Sequence, residues 1–421
     1  MGNFAMIAAM KQYDILIAGA GAAGMMAAIT AARSGKRVLL LEKLSKIGAK
    51  LKATGGGRCN LTNTLDNETF MSRFGRDGKF MMPALDAFDH HALTDFFENI
   101  GVPTHAPDGF RVFPLTHSAA TIVEAMEKEM QRVGVEVQCK ARIVSIEHDG
   151  STVTGVKTEK ETFSASHVII ATGGKGYPVL GAEGDGYTIA QSIGHTVTPL
   201  HPAMMPLKTK EKWVANCRAD TLPKVELRVA IKKYRKLHAT GDLIFTKEGI
   251  RGPVVLDFSR EITPLLAKFD EVPLTANFTK GMNEEEIRSH FKEQIRKNPQ
   301  ITLIEMLATL LPRSLSLELS TLAGCNPERT LAKQQGPARD RLFKLLVATP
   351  LTVNGHEGFK MAMITRGGVS LKEIDPYTMQ SRKLNRLYFC GEVVNLDGPC
   401  GGYNLQWSFA SGYLAGRAAS S

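Results

Sequence analysis

The sequence predicts an α/β protein, and three features predict it. A β-branched run at residues 13–18 leads into the glycine turn GAGAAG at 19–24, a second apolar run at 37–41 ends on an acid, and a glycine-rich segment at 401–406 opens a last helix. At 421 residues the chain exceeds what one core usually serves, so two or three domains are expected. Apolar residues make up 43% and charged residues 22%, the profile of an ordinary folded protein, which excludes disordered and fibrous classes.

The first strand, YDILIA, runs into Gly19-Ala20-Gly21-Ala22-Ala23-Gly24 and an alanine-rich helical stretch to about Ser34. In such a strand–turn–helix the first glycine permits the tight turn, the second lets backbone approach a pyrophosphate, and the third allows close helix-to-strand packing. The helix amino terminus then faces the phosphates with its unpaired N–H groups and partial positive charge. Glycine turns also recur for structural reasons alone, so the next strand decides. RVLLL at 37–41 ends in Glu42, placed where a carboxylate accepts hydrogen bonds from the ribose of a dinucleotide; an acid there favours a free ribose over a 2′-phosphate. The reading is a Rossmann-like dinucleotide-binding domain.

A basic turn with Gly48 and Lys50 precedes Thr54-Gly55-Gly56-Gly57-Arg58-Cys59-Asn60. Three consecutive glycines are too costly in entropy for ordinary helix or strand and imply close backbone approach. A ligand held against backbone N–H groups, with Arg58 and Asn60 pointing polar atoms at it, is the functional reading; a structural loop is the alternative.

Beyond residue 195 the pattern changes. Val225, Leu227, Val229 and Ile231 alternate with polar residues as in a half-exposed strand, and Lys232-Lys233-Tyr234-Arg235-Lys236 then suggests a basic hairpin. Such a tip is either solvated or in contact with a polyanion, and Tyr234 keeps the second reading open. From Asn283 the chain reads helical, with Glu284, Glu285 and Glu286 early and Lys292, Arg296 and Lys297 late, an order that complements the helix dipole. Apolar periodicity at 301–322 and 341–347 suggests a small helical bundle, after which TRGGV at 365–369 returns to the dinucleotide domain.

Composition narrows the classes further. No stretch approaches the roughly 18 apolar residues of a membrane span. Residues 1–10 lack a basic leader and a cleavage site, so a disordered extension is expected there, and Met6 breaks the myristoylation pattern after Gly2. Cys59, Cys139, Cys217, Cys325, Cys390 and Cys400 form no CxxC, which fits reduced thiols in a cytoplasmic protein and argues against a dithiol centre or a metal site. The adjacent His90 and His91 are expected to face different directions. Lys and Arg number 52 against 42 Asp and Glu, a net charge of +10, which fits a dinucleotide's phosphates, a nucleic acid or a basic surface with no partner.

The motifs LKATGGGRCNLTN (51–63), GFRVFPLTHSA (109–119), VIIATGGKGYPVLGAEGDGY (168–187), GDLIFTKEGIRGP (241–253) and GEVVNLDGPCGGYNLQW (391–407), in this order, resemble the BaiN-like (BaiN/RdsA) NAD(P)/FAD-dependent oxidoreductases, a family of conserved flavoproteins. The resemblance implies noncovalent FAD and a Rossmann-like FAD-binding domain in two parts, 12–200 and 356–421. An inserted β-rich subdomain (201–278) and a small helical subdomain (279–355) would interrupt it. It implies FAD contacts from Gly19, Ala20, Gly21, Ala23, Gly24, Glu42, Lys43, Gly48, Lys50 and the 54–60 segment. Thr172, Gly173 and Gly174 would close over the cofactor, with a plain β-turn as the alternative, and Ile143 would contribute backbone only. Gly391, Glu392, Asn395, Gly401, Gly402, Asn404 and Leu405 would form a second segment, where helix N–H groups stabilise negative charge on the reduced flavin. Two positions depart from the family pattern: Asn395 stands where an aspartate is common, and Arg251 where many members have serine.

A flavin supplies hydride or electron chemistry. The missing CxxC disfavours disulfide reduction, and GAEGDG at 181–186 lacks the preceding strand a second nucleotide domain needs. What is left is NAD(P)H-driven reduction of a polarised C=C bond, and the family resemblance implies an enone-like small molecule or a uridine of ribosomal RNA as its substrate. The alternatives are oxidation of a small amine by O2, and a non-catalytic flavin- and RNA-binding assembly factor. Cys59, Tyr177, His201 and Arg251 are the candidate proton donors, each with a structural alternative. The expected partners are the small-molecule or RNA substrate, with ribosomal RNA contact through a basic surface and no membrane.

Overall fold

The structure, a computed structural model, describes residues 12–421; the extension expected at 1–10 lies outside the described residues. Strand β1 (Gln12–Ala18) is buried from Ile15 onward because parallel neighbours flank it on both sides, β2 (Val38–Glu42) and the strand Thr162–Ile170. Strands covered on both faces read as continuous apolar runs, which is why YDILIA and VLLL do not alternate. Beyond β2 lies Glu136–Cys139, also parallel. The long strand Thr162–Ile170 has two partners on its other edge. Its first half pairs antiparallel with Val153–Thr158, which in turn pairs with Ile143–His148, and its second half pairs parallel with Leu387–Phe389. The two ends of the chain therefore share one seven-stranded sheet.

The last helix (Tyr403–Ala419) packs along helix α1 (Ala22–Arg33), and small residues make the approach feasible. A Cβ on Gly412 would lie 2.3 Å from the Ala23 carbonyl oxygen, and one on Gly416 2.5 Å from that of Ala27. Both pairs are spaced four residues apart, hence on one helix face.

The described residues divide into two compact units, one running to residue 201 and resuming at 364–421, the other residues 202–363. The second holds a closed six-stranded barrel in the order Leu207–Thr209, Gly249–Arg251, His238–Phe245, Thr221–Val229, Val272–Asn277, Thr349–His356. Val225, Leu227 and Val229 point into it, as their alternation requires. Helix Glu284–Lys297 begins in a reciprocal capping box between Asn283 and Glu286, and the 301–322 periodicity resolves into Leu303–Leu307 and Arg313–Ala323, broken at Pro312. Barrel residues such as Leu227 and Phe245 and helical residues such as Phe291 and Leu342 belong to one apolar cluster.

The β-rich and helical subdomains expected at 201–278 and 279–355 are thus one body, and the return to the first unit falls at Ile364 and not at 356. The reason is strand pairing. Five strands precede residue 279, and only Thr349–His356, which follows the helices, pairs with both Val272–Asn277 and Leu207–Thr209 to remove the open edges. Among the described residues no helix is long and apolar enough to cross a membrane, and no cluster of His, Cys, Asp or Glu is suited to a metal ion. All six cysteines are free.

Candidate functional site

The three glycines of the first turn divide their work. Gly19 has φ +99°, and a Cβ there would lie 2.7 Å from the Ala171 carbonyl oxygen; one on Gly24 would lie 1.9 Å from that of Gly19. Those two fix the turn against the end of the central strand. A Cβ on Gly21 would meet nothing within 4 Å, so open space lies before the amino terminus of α1, whose first N–H groups have no intrahelical acceptor. Beside it, Glu42 is locked: Oε2 accepts the Ala20 N–H and Oε1 the Leu44 N–H, each at 2.9 Å. A carboxylate offers about four acceptor positions, so roughly two stay available for ribose hydroxyls. Thr172, whose Cα lies 3.0 Å from the place a Gly19 Cβ would take, has a buried hydroxyl with no partner in the protein. A bound polar group would satisfy it. Open backbone, a half-engaged acid and an orphaned hydroxyl fit a dinucleotide.

The segments at 54–63 and 398–404 meet across the whole length of the chain. Asn63 Nδ2 donates to Gly401 O at 2.9 Å, and a Cβ on Gly402 would lie 2.4 Å from the Thr62 carbonyl. The Asn60 amide is satisfied with its oxygen accepting the Gly402 N–H (3.0 Å) and its nitrogen donating to Thr62 O and Val112 O (2.9 and 3.2 Å). The Asn60 side-chain amide is thus bonded to backbone. Asn404 likewise closes its own loop, accepting from Gly398 N at 2.8 Å and donating to Gly398 O at 2.9 Å. Gly56 and Gly57, at φ +66° and +87°, leave open space where a Cβ would stand, and exposed Arg58 stacks over Phe113 at 5.7 Å.

Charged residues near these turns are paired among themselves. Lys50 bridges to Glu392 at 2.7 Å, and the other Glu392 oxygen accepts the Thr365 N–H at 2.8 Å. Tyr187 donates to the Glu392 carbonyl, and a Cβ on Gly174 would sit 2.2 Å from Glu392 Oε1, so a side chain there would displace the carboxylate. Lys43 pairs with Glu183 (2.9 Å) and Asp185 (2.8 Å), and Arg142 with Asp185. The GAEGDG segment, which lacks a preceding strand, thus acts through its two acids, binding the residue after Glu42; Gly184, left-handed at φ +89°, separates them. Sequence reading missed Glu183, Asp185 and Thr365, and two acids flanking a glycine were the only signal available.

Gly48 donates its N–H to Ala20 O, tying the second loop to the first turn, and is packed against Val123. Gly391 lies on Ala23 and donates to Ser411 Oγ; Asn395 N–H donates to Val369 O. Gly173 is open at φ +74°, and buried Ile143 starts its strand opposite Thr158.

The four candidate proton donors do not form one cluster within a unit. Cys59 is fully buried, and burial pushes its thiol up to about 12, so it packs as an apolar side chain. Tyr177 is left-handed (φ +57°) ahead of Pro178, and His201 is the residue where the chain leaves the first unit. Arg251 is exposed on a barrel strand of the second, opposite Ile244. His90 and His91 do not diverge: their rings lie 3.9 Å apart at the start of helix His90–Asn99, where no preceding turn restricts the rotamers. Burial, then the neighbouring His91, lowers the His90 pKa.

Solved structures of known proteins share this fold. The chain is similar over 99% of its length to 98% of 3-ketosteroid-delta4-(5alpha)-dehydrogenase from Rhodococcus jostii RHA1 (TM-score 0.52, 17% identity). It is also similar to E. coli quinol fumarate reductase FrdA (TM-score 0.53, 17% identity, 97% of this chain and 70% of that one), a likeness of fold. Fold and cradle define the class, an FAD-dependent oxidoreductase with a Rossmann-like nucleotide-binding domain. A family model described as the HI0933-like protein Rossmann domain matches residues 13–418, and the chain belongs to that family, as the motif resemblance implied. Among its relatives is the 3-dehydro-bile acid delta(4,6)-reductase of Clostridium scindens, 35% identical over 96% of this chain and 98% of that protein. Another is the ribosomal RNA dihydrouridine synthase of Escherichia coli, 30% identical over 97% and 98%.

Proposed function

We propose that this enzyme takes electrons from NADPH or NADH onto FAD and uses them to reduce a C=C bond polarised by a neighbouring carbonyl. The observation that carries the cofactor half is the open backbone at Gly21 beside the half-engaged carboxylate of Glu42. Support for the reaction comes from the two relatives over almost the whole chain, whose names share saturation of a ring double bond conjugated to a carbonyl.

When bound, FAD supplies the hydride that such a reduction needs. The protein's part is binding and electrostatics. The α1 amino terminus receives the pyrophosphate through backbone N–H groups, with Gly21 leaving the necessary space. Glu42 orients the adenosine ribose through its remaining acceptor positions, and Thr172 offers its hydroxyl. Lys50 and Glu392, paired, hold the loop at 391–393 against the backbone at Thr365. The first turn of helix Tyr403–Ala419 directs N–H groups at the flavin end, where they favour the anionic reduced ring.

The test is the visible spectrum of the purified protein, followed anaerobically while NADPH or NADH is added and then a simple enone or unmodified ribosomal RNA. Bleaching by a nicotinamide and selective recovery with one unsaturated acceptor is the expected result. Recovery by oxygen alone, with peroxide formed, would replace this reading with an oxidase. Absence of flavin even after reconstitution with FAD would remove the cofactor assignment.

A further inference from the structure

His195 is buried, and both of its ring nitrogens are engaged. Nδ1 lies 3.2 Å from Glu373 Oε2, and Nε2 lies 2.8 Å from Oγ of Ser381, itself buried. These partners fix the tautomer. A carboxylate only accepts, so Nδ1 carries the proton. Ser381 Oγ already accepts the N–H groups of Lys383 and Leu384, each at 3.0 Å, which uses both lone pairs of a hydroxyl oxygen, so its own proton goes to Nε2. The imidazole is held neutral, as one donor and one acceptor.

The same contacts tie together two stretches of chain. His195 follows helix Asp185–Ser192, while residues 370–386 lead into strand Leu387–Phe389. Glu373 also accepts the Thr196 N–H (2.8 Å) and hydroxyl (2.9 Å), and Lys383 pairs with Glu373 at 2.9 Å and donates to the Gly194 carbonyl. The edge of the His195 ring rests on Phe389, with centroids 4.9 Å apart. From Phe389 the chain passes through Cys390 to Gly391 and Glu392, the segment placed at the cofactor.

A second proton on the ring has no place in this arrangement. It would set an Nε2–H against an oxygen with no lone pair left and put a cation in a buried site. Among the described residues the charged groups at the ring are Glu373, which favours the cation, and Lys383, which opposes it. Burial prevails and lowers the His195 pKa. Burial raises the Glu373 carboxyl, but hydrogen bonds from Lys383 and Thr196 outweigh it and hold it down to about 2, so in mild acid His195 is the group of this cluster that changes. A ring released from the site takes a proton more readily than one held in it. The contact is therefore at full strength above the ordinary imidazole value of about 6.5 and weakens as pH falls below it.

We propose that His195 is a proton-operated latch on the FAD site. Neutral, it pins residues 370–386 to the end of helix Asp185–Ser192; protonated, it frees them and loosens Gly391 and Glu392, so that mild acid speeds release of the cofactor. The proposal rests on the reading of 391–392 as part of the FAD cradle, and its test separates the two. Both quantities are read on the full-length, FAD-loaded protein: amide hydrogen exchange at residues 370–386, corrected for its intrinsic pH dependence, and FAD release, followed by flavin fluorescence. From about pH 7.5 to about pH 5.5 each is expected to quicken by up to about tenfold, the limit for an ordinary imidazole that takes its proton only when released. His195→Gln keeps a donor and an acceptor but does not titrate, and it should flatten both pH profiles whatever its absolute rates. His90→Gln removes another histidine of the same unit whose pKa burial lowers, and it should leave both profiles as in the wild type. NMR of isotope-labelled histidine in the wild type should show His195 in the Nδ1–H form at neutral pH. Profiles as steep in His195→Gln as in the wild type would overturn the latch, as would a doubly protonated His195 at neutral pH. Exchange that quickens in acid while FAD release stays constant would support the latch and overturn the placing of 391–392 at the cofactor.

Discussion

At the scale of single residues, Gly21 and Glu42 separate binding from folding. A side chain at Gly21 has room in the protein itself, so Gly21→Glu should leave helix content and the melting temperature of the FAD-free protein unchanged. It fills the space the pyrophosphate needs and sets a carboxylate against it, and FAD affinity should fall about a hundredfold or more, roughly 2.7 kcal/mol. Glu42→Ala differs because two backbone N–H groups, of Ala20 and Leu44, lose their acceptor. Each unsatisfied group costs about 1–3 kcal/mol where water cannot replace the partner, so this variant should melt lower without FAD as well as bind it less. Isothermal titration and melting of the apo-proteins check both; full FAD content in Gly21→Glu would move the cofactor elsewhere. Glu42 was legible in the sequence because strand, turn, helix and strand fix its position by short-range geometry. The backbone partners of Asn60 were not, since they depend on what lies opposite, and Gly402 comes from the other end of the chain.

At the scale of elements, what joins the chain's ends is the contact between α1 and the last helix. Because a Cβ on Gly412 would lie 2.3 Å from the Ala23 carbonyl, backbone must shift to admit even Ala. Overpacking of this kind costs about 1–3 kcal/mol, and moving Ala23 also moves the helix terminus that receives the phosphates. Gly412→Ala should therefore lower both the melting temperature and FAD affinity. Gly336→Ala, at a helix start with nothing within 4 Å of the added methyl, should be neutral or mildly stabilising. Equal melting of the two variants by calorimetry would refute the close packing. Long periodic elements such as Thr221–Val229 and Glu284–Lys297 could be read from the sequence. Barrel closure could not, because three-residue strands like Leu207–Thr209 carry no period, and the strand that seals the barrel follows five helical segments.

For the molecule as a whole, the two units have separate apolar clusters, and each contains one of the chain's two tryptophans: Trp407 lies in the first and Trp213 packs on the second. The residues assigned to FAD all fall in the first unit. A ligand stabilises only the cooperative unit whose folded state binds it, by about 2.7 kcal/mol when its free concentration is a hundred times Kd. In urea, Trp213→Phe leaves the reporter in the FAD unit, and Trp407→Phe leaves it in the barrel unit. Added FAD should raise the midpoint read from Trp407 and leave that read from Trp213 in place. Midpoints that move together would mean that the chain unfolds as one cooperative body despite its two cores, and would place the stabilising effect of the cofactor on the inserted unit as well.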